Sequence, residues 1–214
     1  MNEKLFDYIA VCPTAFHTCA HSADMLRESG YTELCEARRW EIVPGGKYFV
    51  TRNGSSLIAF RVPAGEIAGF MMTAAHGDSP AFKIKENAEL PDGNYLRLSV
   101  EKYGGMLCAP WLDRPLSVAG RVLVSEGDKL SVKLVDLKDP CAIIPNVAIH
   151  MNRNANDGMS YNAAVDMLPV WMSSEKGSFR AAVAKAAGVA EDAIVTGDLF
   201  LYDPQKGVTL GEYI

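Results

Sequence analysis

The residues able to do chemistry in this 214-residue chain are few, and one short stretch concentrates them. An apolar run, Phe70-Met71-Met72-Thr73-Ala74-Ala75, stops at His76-Gly77-Asp78-Ser79-Pro80. An imidazole can hold a metal through one ring nitrogen. A carboxylate two residues away can accept a hydrogen bond from the other nitrogen, which fixes tautomer and direction. In open α/β sheets, ligands gather beyond the carboxyl ends of strands, and His76 stands at such an end if the run before it is a buried strand. A His and an Asp sharing an ordinary polar turn give the same letters. Spacing alone leaves both readings open.

His150 is the second candidate. It follows Val147-Ala148-Ile149 and precedes Met151-Asn152-Arg153, which places it in or beside a strand. By residue type it is either a working imidazole or a satisfied polar group on a strand edge. His17 and His21 are four apart on an expected helix, a spacing that can put two imidazoles on one metal, and Asp24 and Glu28 share their face. A polar helix face of this kind is usually just solvated, and that reading is preferred. The chain contains no Glu-Glu pair, and Glu191-Asp192 suits a helix N-terminus better than a metal. The five cysteines are scattered without a Cys-x-x-Cys. They fit reduced thiols in a cytoplasmic protein, not a disulfide framework or a structural zinc, and no adjacent base activates one as a nucleophile.

These groups need elements to hold them, and the composition allows a real core. The chain is 49% hydrophobic. At this length that is enough for one or two domains. Its net charge of −5, with no basic cluster beyond Arg38-Arg39, argues against nucleic acid or an anionic membrane as partner. No apolar run approaches the ~20 residues that span a bilayer, and the first residues lack the basic and apolar regions of a signal peptide.

Residues 3–11 read as a short helix ended by Cys12-Pro13. Thr14 then N-caps a helix to about Ser29, with Phe16, Cys19, Ala20, Ala23 and Leu26 as its apolar stripe and Gly30 as its stop. Trp40 to Phe60 reads as strand, turn, strand, and Asn53-Gly54 is a strong two-residue hairpin signal. Gly65-Glu66 leads into the strand expected to end at His76. After Pro80 the pattern turns β-rich, with strands expected at 94–101, 117–124 and 129–135. A short Ala-rich helix follows from Phe179 to Ala187, stopped by Gly188, and then a strand from Asp192 to Leu201. The fold class is therefore α/β, with residues 1–79 and 197–214 as one body and 80–196 as a β-rich insertion.

Five collinear segments resemble one family. His76-Gly77-Asp78-Ser79-Pro80 with Lys83-Ile84-Lys85 is similar to the "HTDSP…K.K" segment of the aspartyl aminopeptidases, which are dinuclear zinc exopeptidases. Pro13-Thr14-Ala15-Phe16-His17 resembles their "SPTPFH", and 48–60 their first hairpin. Tyr103-Gly104-Gly105 with Trp111-Leu112-Asp113-Arg114-Pro115-Leu116 resembles "YGGG…W.DRDL". Ile144 to Arg153 resembles "IP.LAIHLNR". Pro115 stands where the family usually has Asp, and Cys108-Ala109-Pro110 before Trp111 also departs from its pattern.

The resemblance implies part of a zinc-exopeptidase α/β/α domain (1–79 and 197–214) interrupted by a dimerisation or lid domain (80–196). It implies His76 as a zinc ligand, Asp78 as its orienter, and two Zn2+ per complete site. It also implies that His150 stabilises the transition state in a neighbouring subunit. Members are about twice this long, so the chain matches an N-terminal half ending at Leu210-Gly211-Glu212-Tyr213-Ile214, short of the bridging Asp. The expected activity is release of N-terminal, acidic residues from peptides. A homo-oligomer or a companion chain would supply the remaining ligands. The alternative is a non-catalytic assembly or regulatory subunit that keeps the lid domain without a complete zinc site.

Overall fold

The structure, a computed structural model, describes residues 2–173 and 177–211. Its contacts divide the chain into two compact units. The first runs from the N-terminus to Ser79 and takes in the stretch from Gly207; the second is Pro80–Lys206.

The first unit holds two helices, α1 (Asn2–Val11) and α2 (Ala15–Glu28), and a three-stranded sheet of β1 (Thr32–Leu34), β2 (Lys47–Arg52) and β3 (Ser56–Arg61) in the order β1-β2-β3. Residue spacing explains α2: Phe16, Cys19 and Ala23 fall on one stripe and are buried, and the helix packs on β2 and β3. Tyr48, Phe49 and Val50 of β2 complete this small core. Thr14 occupies the N-cap in an extended conformation, but its hydroxyl pairs with His17 Nδ1 (2.8 Å) and caps no backbone amide. The β2–β3 turn is the expected one. Asn53 and Gly54 both take positive φ, 53° and 60°. A type I′ hairpin requires that of both central residues.

The second unit is built on a six-stranded sheet. Its strands are β4 (Ala81–Asp92), β5 (Tyr95–Tyr103), β6 (Ser117–Glu126), β7 (Lys129–Asp136), β8 (Val170–Ser173) and β9 (Ile194–Tyr202), ordered β7-β6-β9-β4-β5-β8 with antiparallel neighbours. Period-two alternation drives it: Leu96, Leu98 and Val100 of β5 and Val118, Val122 and Val124 of β6 point into one core. Helix α3 (Phe179–Ala187) covers that core with Phe179, Val183 and Ala184, and Phe179 meets Trp171 edge-on at 5.2 Å. Gly188 ends α3 in the left-handed region at φ 67°, the usual way for a glycine to stop a helix. At Gly120 the sheet is too tight for any side chain, since a Cβ there would lie 2.0 Å from the Asp198 carbonyl oxygen.

Two expectations change. Residues 197–206 lie with the second unit, because β9 runs unbroken across position 197 and pairs with both β6 and β4. The run before His76 is not a buried strand. Residues 62–80 form no strand, and Ile67, Phe70, Met71 and Met72 are 62%, 87%, 103% and 89% exposed. A strand open on both faces needs neighbours to satisfy its backbone, and no described strand pairs with this run.

Candidate metal centre

His76 lies at the end of that extended run, with its side chain 92% exposed. Gly77 and Ser79 flank Asp78, which is partly buried. The two-residue spacing brings the partners together: His76 Nδ1 is 3.1 Å from Asp78 Oδ1. With Nδ1 held by the carboxylate, Nε2 is the ring nitrogen left for a ligand. The arrangement suits one zinc ligand and the carboxylate that aims it. It does not make a full site. Among the described residues, no group of three or more His, Cys, Asp or Glu side chains is placed to hold a metal ion.

His150 belongs to the second unit and sits in a turn, closed by Met151 N–H donating to Ala148 O at 2.8 Å. The sequence placed it in or beside a strand; the run before it is too short and too exposed to pair. Val147, Ile149 and Met151 are 49%, 46% and 79% exposed, so this loop presents apolar groups around an imidazole. Its root is firm. Ile144 is fully buried, and its carbonyl accepts from Asp113 N–H (2.9 Å), while Asp113 Oδ1 accepts from Asn146 N–H (2.9 Å). The structure gives Arg114 to Asp203 (2.8 Å) and sets Asp113, at φ 58°, to anchor the His150 loop. No local signal reveals that task, because the partner is 33 residues away.

The other candidates resolve into packing. His21 stacks at 5.4 Å from Tyr8, and His17 is engaged by Thr14, so the helix pair does not converge on a metal. Glu191 begins a single 3-10 turn and accepts from Ser178 Oγ at 3.4 Å. All five cysteines are free thiols. A cavity opens beside the β4 bulge at 84–89, but the anion-favouring start of α3 inside it is already taken. The Glu89 carboxylate accepts from the backbone of Phe179 and Arg180.

Comparison with known proteins bears on these same segments. A family profile described as "Aminopeptidase I zinc metalloprotease (M18)" matches residues 8–213. A probable M18 family aminopeptidase 2 of Stutzerimonas stutzeri is 40% identical over 220 residues, covering 99% of this chain and 51% of that protein. The chain thus spans about half the length of the curated relatives it matches. Among solved structures, Ape4 in a cryo-EM complex with Nbr1 superposes with a TM-score of 0.92 at 31% identity, covering 97% of this chain and 45% of that one. The mApe1 dodecamer of S. cerevisiae superposes at 0.79 with 26% identity, covering 98% and 49%.

Proposed function

This chain belongs to the M18 family of zinc aminopeptidases, and from that we propose that it forms the His76-bearing part of a zinc aminopeptidase. The observation that carries the reading is the His76–Asp78 pair, in which a carboxylate holds Nδ1 and leaves Nε2 exposed. His76 would hold zinc through Nε2, and Asp78 would fix its tautomer and raise its basicity. When bound, a pair of zinc ions supplies Lewis-acid activation of water and of the scissile carbonyl. His150, carried on an apolar loop rooted by Asp113, would donate a hydrogen bond to the oxyanion that develops on that carbonyl in a neighbouring subunit. The remaining ligands and the proton-moving carboxylate would come from a companion segment.

The substrates would be peptides with acidic first residues, as the family resemblance implies. The dodecameric neighbour supports a homo-oligomer. Free thiols suit the reducing cytoplasm.

The test is zinc affinity and content, measured on the 214-residue chain alone and with the remaining half of an M18 relative added. We expect weak zinc binding alone, about two zinc per complex after mixing, and peptidase activity only then. His76→Ala should abolish tight zinc in the complex. Asp78→Asn should weaken it about 10- to 100-fold, the usual cost of losing an orienting carboxylate. Two tightly bound zinc ions on the unmixed chain, or tight zinc surviving His76→Ala, would overturn the assignment. A complex that assembles without zinc or hydrolysis would instead identify an assembly subunit.

A further inference from the structure

The second unit's sheet parts between β4 and β9. Among the described residues the two strands pair at one position, Lys83↔Phe200. Beyond it β4 bulges, and five steps along it, Ile84 to Glu89, pass two along β5, Val100 to Leu98. A cavity of about 470 Å3 opens beside the bulge. That is within the ~300–1,000 Å3 usual for small-molecule sites. Its floor belongs to the core: Ile84, Val122, Val183 and Leu199 are all buried, and Gly197 adds no side chain to fill the space.

The mouth is charged, and its charges are unequally engaged. Glu89 is occupied by the first amides of α3, and Arg180 donates to the carbonyls of Glu191 and Ile194. Glu86 accepts from the Thr196 hydroxyl at 2.9 Å. A carboxylate can take about four hydrogen bonds, so most of its capacity is open. Its neighbour Lys85 is exposed and makes no ion pair or hydrogen bond among the described residues. One uncommitted ammonium and one under-used carboxylate thus stand side by side over an apolar hollow.

We infer that this cavity binds a free apolar α-amino acid. Its side chain would fill the hollow and remove apolar surface from water. Its carboxylate would meet Lys85, and its ammonium would meet Glu86. The two protein charges are sequence neighbours, as close together as one amino acid's own charges require. A plain carboxylate would answer Lys85 and be repelled by Glu86, and a plain amine would do the reverse. A hydrocarbon would answer neither. Only the zwitterion satisfies both signs and the floor. The cavity lies wholly within Pro80–Lys206 and uses no zinc, so it stands or falls apart from the peptidase reading.

Calorimetric titration of the full chain with L-phenylalanine tests this. Saturable binding is expected with a Kd on the order of 1 mM, the range open to so small a ligand. Three probes each lack one part: 3-phenylpropionate the ammonium, phenethylamine the carboxylate, and L-alanine the ring. Each should bind at least about tenfold more weakly. Lys85→Met should weaken phenylalanine about tenfold and leave phenethylamine unchanged, and Glu86→Gln should weaken phenylalanine and leave 3-phenylpropionate unchanged. Both side chains are exposed, and circular dichroism would confirm that the fold is kept. Ala88→Trp should fill the cavity and abolish binding of every probe, and the two surface variants decide the matter if that chain fails to fold. Absence of saturable phenylalanine binding would overturn the inference. So would phenylalanine binding that ignores both Lys85→Met and Glu86→Gln, or 3-phenylpropionate or phenethylamine binding as tightly as the amino acid.

Discussion

A thiol's reactivity in this chain is set by how much water reaches it. Burial pushes the Cys141 thiol up to about 11, against a smaller opposing pull from the Ser117 hydroxyl and the Val118 backbone. At pH 8 such a group is only about 0.1% thiolate, and thiolate is the nucleophile. Cys35 is exposed. Under native conditions, iodoacetamide followed by peptide mass mapping should therefore label Cys35 well before Cys141, by a margin of at least about tenfold in rate. Equal rates would mean that the second unit opens faster than it reacts. Tyr202 in the same buried patch is raised by burial and by donating to Asp136 Oδ1 at 2.6 Å, so it too stays neutral. None of this was legible beforehand, because burial belongs to the folded sheet. The His76–Asp78 pair was legible, since two residues of chain are short enough to dictate who meets whom. Asp113 was not, because its partner Asn146 arrives only when Ile144 is buried.

Strands here are joined by charge as well as by backbone. Asp198 on β9 receives Lys83 from β4 (2.9 Å) and Arg121 from β6 (3.0 Å), one carboxylate linking three neighbouring strands. Burial raises its pKa, but the two cations together outweigh that and hold it below the usual carboxylate value. A lowered folded pKa stabilises the native state above the unfolded value of about 4 and loses that contribution as pH falls through the folded one. Asp198→Asn should cost on the order of 1 kcal/mol at pH 7 by urea denaturation, with the gap to the parent closing below about pH 4. A gap unchanged at pH 3 would show that the loss is steric. At this scale much was readable: α3 with its left-handed Gly188, the Asn53-Gly54 hairpin, and the alternation of β5, β6 and β7. β4 was hidden because charged residues interrupt its pattern at Lys83, Lys85, Glu86 and Glu89. The run before His76 misled for the opposite reason. Its apolar letters describe a strand that neighbours would bury, and hydrophobicity in sequence does not say where those neighbours are.

The two units differ in how they are finished. The second closes a core in which Phe82, Leu98, Leu116, Ile144, Met167 and Leu201 are all fully buried. The first carries the extended segment 62–79, which bears Ile67, Phe70, Met71 and Met72 in the open and exposes more apolar side chain than an ordinary connecting loop. Proteases cut exposed backbone that lacks ladder hydrogen bonds and needs no unfolding to be reached. Dilute chymotrypsin should therefore cleave first after Phe70. The fragment beginning at Met71 should then persist, because Pro80–Lys206 contains a complete sheet and its covering helix. Mass spectrometry of the early digest identifies the cut, and circular dichroism of the surviving fragment shows whether its sheet is intact. Phe70→Ser should remove that first cut, leaving slower cleavage at the neighbouring exposed Met71 and Met72. Adding the remaining half of an M18 relative should protect Phe70 in the parent chain if that half supplies the strands that bury it. Early cleavage within the paired strands β4, β5, β6 or β7 themselves would contradict this order and would mean that the second unit's sheet opens under native conditions.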